Sequence, residues 1–92
     1  MIDLTKYNLT KEDSDVIKEI YRAFEIGLEM SFVHSEKDYH INYEKDKIWV
    51  YENKEETPDY FYDSPDDFFL YFLLEDKPFI ERFNELTSFD FC

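Results

Sequence analysis

Ninety-two residues with one glycine, one cysteine and a formal net charge of −13 describe one small domain, 1–92. Hydrophobic residues make up 43% and aromatics 21%, which excludes a disordered acidic tail, because such tails lack the apolar side chains that offset conformational entropy. Twenty-three acids against ten bases exclude the basic footprint of a direct nucleic-acid binder, and the surface repels anionic membranes but attracts a basic partner.

A single cysteine forms no internal disulfide, and a secreted domain of this size usually needs several. The start, Met1-Ile2-Asp3-Leu4, shows no basic segment followed by an apolar one. The longest apolar run, Phe68 to Leu74, is far shorter than the roughly 20 residues that cross a bilayer. A cytoplasmic protein is therefore expected.

In chain order, Thr10 reads as a helix cap, with Asp13 placed to return its hydrogen bond. Val16, Ile17, Ile20, Phe24, Gly27 and Leu28 then recur at helical spacing, predicting a helix from Lys11 to Glu29. Gly27 falls inside it, where it would let the helix approach a sheet. Tyr7 and Leu9 are expected to fold back onto this helix. Ser31 to His34 reads as a short extended stretch and Ser35-Glu36-Lys37 as a turn. Tyr39, Ile41 and Tyr43 alternate with polar residues, and Ile48 to Tyr51 follow after a tight Lys45-Asp46 connection. Three strands in a meander are thus predicted, with Ile41 and Val50 facing inward and Trp49 in the core.

Asn53 to Asp59 is a polar loop, and Tyr60-Phe61-Tyr62 is a fourth strand or an extended entry to the next helix. Ser64-Pro65-Asp66-Asp67 carries a cap, a proline at the first helical position and two acids at the positive end of the helix dipole. The helix is predicted to run on through Leu74, with Phe68, Phe69, Phe72 and Leu73 inward. Pro78 opens a third helix in which Phe79, Ile80, Phe83 and Leu86 share a face. The tail, Thr87 to Cys92, keeps two phenylalanines that favour packing down. The predicted class is α+β: an N-terminal helix, an antiparallel sheet of three or four strands, and two C-terminal helices.

Catalytic machinery is not legible. With one glycine there is no phosphate-binding loop. His34 and His40 match no zinc spacing and read as surface histidines, and Cys92 has no base fixed beside it. Asp59, Asp63, Asp66 and Asp67 lack the ligand order and the turn glycine of a calcium loop. No catalytic residue, metal or cofactor is expected, and the chain reads as a non-enzyme.

The acids are concentrated. Between Glu52 and Asp67, seven of them (Glu52, Glu55, Glu56, Asp59, Asp63, Asp66 and Asp67) stand against one base, Lys54, and Tyr60, Phe61 and Tyr62 lie among them. Such a stretch is either a solvated, solubilising loop or a partner surface with aromatic anchors ringed by charge. Carboxylates one helical turn apart lie about 5–6 Å from each other and alternate strand residues about 6.5–7 Å, separations that a phosphate-reading protein grips. The partner-binding expectation falls on Glu52, Glu55, Glu56, Asp59, Tyr60, Tyr62, Asp63, Asp66 and Asp67. The apolar run 68–74 leaves room for a homodimer or partner interface on one side.

In size, charge and element order the chain resembles the small acidic DNA-mimic inhibitors of phages, anti-CRISPR proteins in particular. That resemblance implies a basic nucleic-acid-binding partner, an RNA-guided nuclease, met in a bacterial host cytoplasm. It also implies competition with the PAM-bearing duplex, with Glu25 and Glu29 as further acids. The alternative is an immunity protein that neutralises a bacterial toxin by protein–protein binding.

Overall fold

A computed structural model describes residues 1–91; Cys92, read above as having no base fixed beside it, lies outside them. Helix α1 spans Lys11–Glu25 and begins as its capping box demands. The Asp13 backbone N–H donates to Thr10 Oγ1 at 3.1 Å and the Thr10 N–H donates to Asp13 Oδ2 at 3.2 Å. It ends four residues earlier than the periodicity predicts, because Gly27 is not a helical residue. Its φ of 77° places it in the left-handed region. The Leu28 N–H reaches back to the Ala23 carbonyl and the Gly27 N–H to that of Phe24, a Schellman stop that glycine makes cheap. Nothing lies within 4 Å of a side chain added there, so close packing on the sheet is not what glycine serves.

The main sheet is antiparallel throughout, with strands β1 (Met30–His34), β2 (Lys37–Glu44), β3 (Lys47–Glu52), β4 (Tyr60–Tyr62) and β7 (Thr87–Phe91) in the spatial order β4-β3-β2-β1-β7. The α+β class stands, but the sheet has five strands rather than three or four. The fifth is the tail, which pairs with β1 and turns Phe89 and Phe91 against the core. A register shift with Ser88 at a φ of 51° accommodates it. Two-residue loops join β1 to β2 at Ser35-Glu36 and β2 to β3 at Lys45-Asp46, and all four residues have positive φ. Type I′ hairpin turns require that conformation, and this glycine-poor chain adopts it with ordinary residues.

Helix α2 (Pro65–Tyr71) starts on Ser64, whose Oγ accepts from the Asp67 N–H at 3.1 Å. It stops at Tyr71, three residues short of expectation. Leu73–Leu74 (β5) and Lys77–Pro78 (β6) instead form a small hairpin, with Glu75 at a φ of 63°. Breaking the helix turns both Phe72 and Leu74 into the core and leaves Leu73 54% exposed, so the expected inward position of Leu73 is corrected. Pro78 does open α3 (Phe79–Arg82), which is a single turn continued by a 3-10 turn at Phe83–Glu85.

All three helices cover one face of the sheet. Ile17, Ile20, Phe24, Ile41, Ile48, Val50 and the Phe68–Phe69–Phe72–Phe79 group are buried there, whereas Val16 is 37% exposed and leaves the predicted stripe. Phe68 is the hub of the rings, 4.8 Å from Phe79, 5.2 Å from Phe72 and 5.7 Å from Phe24. Offset and edge-on pairs of this kind contribute about 0.5–1.5 kcal/mol each beyond their area. The opposite sheet face has no covering layer, as antiparallel sheets allow. Trp49 lies on that face, half-buried and 5.4 Å from Phe61, not in the core as expected, because it alternates with the buried Ile48 and Val50. No helix among the described residues is long and apolar enough to cross a membrane.

Candidate partner-binding surface

Strands β3 and β4 position the acidic stretch as a loop at one edge of the sheet. Lys54, Glu55, Glu56 and Asp59 are exposed on it. Backbone bonds hold its base: the Asn53 N–H donates to the Asp38 carbonyl and the Asp59 N–H to the Val50 carbonyl, both at 2.8 Å. Asp59 also has a structural task, since its Oδ2 accepts from the Glu52 N–H at 2.9 Å and clamps the two ends of the loop together. Glu55 stands beside it. The hydrogen bond that Asp59 shares with Glu55, and then its negative charge, raise the Glu55 pKa above the usual carboxylate range.

The remaining predicted site residues divide by neighbour. Glu52 is half-buried, with Oε2 at 3.7 Å from Lys37 Nζ. Asp63 is tied to Lys47 Nζ at 2.7 Å. Asp66 is turned away from the loop toward α1, accepting from the Tyr21 hydroxyl at 2.6 Å and lying 3.7 Å from the N-terminal ammonium. Asp67 is half-buried at the start of α2. Tyr60 and Tyr62 share the helix-covered side of the sheet, at 6.4 and 6.2 Å from the Phe72 ring, and Tyr60 keeps 47% of its surface exposed. Burial pushes Tyr62 up to about 12, and burial followed by the charge of Glu52 raises Tyr60. The structure thus brings Glu52, Glu55, Asp59 and Tyr60 to one corner and assigns Asp63 and Asp66 to internal pairs.

Three exposed residues near the acidic stretch stand outside the partner-binding expectation: Phe61, read above only as lying among the acids, Tyr71, and Leu73, expected inward; they are exposed by 52%, 64% and 54%. Phe61 alternates with Tyr60 and emerges on the uncovered sheet face, where Lys47 Nζ lies 4.7 Å from its ring centroid. Tyr71 and Leu73 surface because α2 breaks between them. The two leucines followed by Glu75-Asp76-Lys77 and Pro78 were the available hairpin signal.

No group of three or more His, Cys, Asp or Glu side chains suited to a metal occurs among the described residues. His40 is a surface residue whose Nε2 lies 3.3 Å from Glu29. His34 is not the surface histidine expected. It is 5% exposed on the inner side of β1, with Nε2 3.5 Å from Glu85 Oε1, and both carboxylate oxygens of Glu85 also accept from Arg82 Nη1. Comparison with protein-family models, with curated proteins and with solved structures finds no match.

Proposed function

We propose that the protein is a non-enzymatic inhibitor that binds a basic nucleic-acid-binding protein, presenting the β3–β4 carboxylates where that partner expects phosphate. An anti-CRISPR protein that blocks DNA access to an RNA-guided nuclease is the form of this reading that the chain's size, charge and element order favour. One observation carries it: Glu55, Glu56 and Asp59 stand exposed together on a loop that the Glu52 N–H bond to Asp59 clamps at its base and that exposed Tyr60 and Phe61 border. A solubilising surface gains nothing from crowded carboxylates, because repulsion between them costs stability. A surface that must match closely spaced phosphates does gain. The fixed base lowers the ordering cost of binding.

The test begins with a host lysate passed over the immobilised protein at low salt and a partner eluted by a salt gradient. The identified partner is then measured against Glu55→Gln/Glu56→Gln and against a control, Glu12→Gln/Asp15→Asn/Glu19→Gln on the exposed side of α1. Asp59 is left intact because it closes the loop. The loop variant is expected to associate more slowly and with a flatter salt dependence, and the control nearly normally. Equal association of the two variants contradicts the reading.

A further inference from the structure

Of the exposed large hydrophobic side chains, Tyr60, Tyr71 and Leu73 gather at one corner, while Phe61 emerges on the other sheet face and Met1, Val16 and Ile26 lie elsewhere in the chain. Scattered apolar residues need no explanation, whereas a gathered group rimmed by charge marks a contact site. These three line a groove of about 330 Å³ between β4 and the α2–β5 corner, together with Tyr62, Phe72 and Glu75. Tyrosine rings from two directions and a carboxylate thus border one concavity. Glu75 is positioned, because the Ser35 hydroxyl donates to its Oε1 at 2.6 Å. None of the described residues lining the groove is a lysine or arginine. The grooves of the uncovered sheet face differ, since both are lined by Lys54 and His40.

We propose that this groove seats the guanidinium of an arginine side chain from an extended basic segment of the partner. Charge complementarity names the occupant: aromatic faces attract a cation, and a fixed carboxylate beside them pairs with it. The molecule uses the same combination twice on its own cations. Lys47 Nζ sits 4.7 Å from the Phe61 centroid and 2.7 Å from Asp63, and Lys37 Nζ sits 6.0 Å from the Tyr39 centroid and 3.7 Å from Glu52. The Tyr60–Tyr71–Glu75 group repeats that arrangement with no cation of its own among the lining residues. Arginine fits better than lysine, because a planar, weakly hydrated guanidinium stacks on rings and still donates in its own plane to a carboxylate. The inference deepens the proposed function, on which it rests for the partner's basic character: the β3–β4 loop steers, and the groove anchors.

The experiment titrates the isotope-labelled full chain with hexa-arginine and, at equal charge, with hexa-lysine, at about 150 mM salt to suppress long-range attraction. The expected result is tighter binding of hexa-arginine, with NMR shifts concentrated at Tyr60, Tyr71 and Leu73. Tyr71→Ala, and Tyr71→Leu which keeps apolar area without the ring, each weaken hexa-arginine binding about three- to five-fold and erase its advantage over hexa-lysine. Glu75→Gln, which retains an acceptor for Ser35, does the same. Glu55→Gln/Glu56→Gln weakens both peptides equally. The proposal is overturned if the two peptides bind alike, if neither binds, or if Tyr71→Ala and Tyr71→Leu both bind like the parent. If the Tyr71 variants bind normally while the loop variant is weakened, the groove is rejected and the loop stands. If the Tyr71 variants lose the arginine preference while the loop variant changes nothing, the groove stands and the loop is rejected.

Discussion

The Tyr21 hydroxyl donates a 2.6 Å hydrogen bond to Asp66 Oδ1, joining residues 45 positions apart and fastening the middle of α1 to the start of α2. The same hydroxyl accepts from the Ile2 N–H at 3.2 Å, and the Tyr21 ring stacks on Phe69 at 4.8 Å. One side chain therefore ties three segments together. Burial, and then the bond to Asp66, raise the Tyr21 pKa well above the ordinary phenol range, so the hydroxyl stays a donor at neutral pH.

Tyr21→Phe keeps the stack and removes both bonds. It is expected to lower stability by about 1 kcal/mol, since Asp66 is half-exposed and regains water. The measurement is thermal melting, with a fall of roughly 4–8 °C at this chain length. An unchanged melting temperature shows that the bond is not formed in solution.

Two substitutions on α1 separate the observed helix face from the predicted one. Phe24 is buried against Phe68 and Tyr43, and Phe24→Ala should cost about 3–5 kcal/mol. A small domain has little more than that to lose, so this variant is expected to be largely unfolded near body temperature. Val16→Ala should change stability by less than about 0.5 kcal/mol, because Val16 faces water. Denaturant melts of both variants check the register. A large loss at Val16 would restore the stripe that the spacing predicts.

The fold was legible wherever a local rule acts alone. Thr10 with Asp13, and Ser64 with Pro65, announce helix starts by short-range hydrogen bonding, and both caps form. The β2–β3 alternation places Ile41 and Val50 inward, as they are. Reading failed where a distant contact decides. The apolar run from Phe68 to Leu74 cannot show by itself that Phe72 will leave the helix so that Leu74 can also reach the core. The pairing of the tail with β1 depends on a strand more than fifty residues away. His34 looks like a polar residue near a turn, and only the arrival of Glu85 makes its burial tolerable. At the candidate site the acid-rich loop was visible as composition. The division of its carboxylates between free and paired was not, because Lys37, Lys47 and Tyr21 come from other elements. The groove was invisible for the same reason: Tyr71 and Leu73 are exposed by a helix break.

Glu55 and Glu85 give opposite pH signatures. Glu55 is raised by Asp59, so its contribution is fully present below the unfolded pKa and is lost as pH rises; ionised, it opposes folding. Glu55→Gln should therefore raise the melting temperature at neutral pH, with the gain vanishing below about pH 4. For Glu85, burial pushes the pKa up, but the bonds from Arg82 and His34 together outweigh it and the pKa falls below the usual range. Its stabilisation is present above the unfolded pKa and disappears as pH drops through the folded one. Glu85→Gln should flatten that acid limb. Melting curves across pH 2–8 for the parent and both variants check the signs, and a Glu55→Gln variant that is less stable at neutral pH contradicts the crowding of the loop.

The claim that the protein takes the place of nucleic acid is tested most directly by competition on the captured partner. The partner is loaded with a fluorescent DNA duplex, the full chain is added, and anisotropy reports the fraction of duplex retained. The account predicts stoichiometric displacement by the parent chain and weak displacement by Glu55→Gln/Glu56→Gln, with the melting temperature of that variant no lower than the parent's. A ternary complex, in which partner, duplex and this protein remain together, contradicts it.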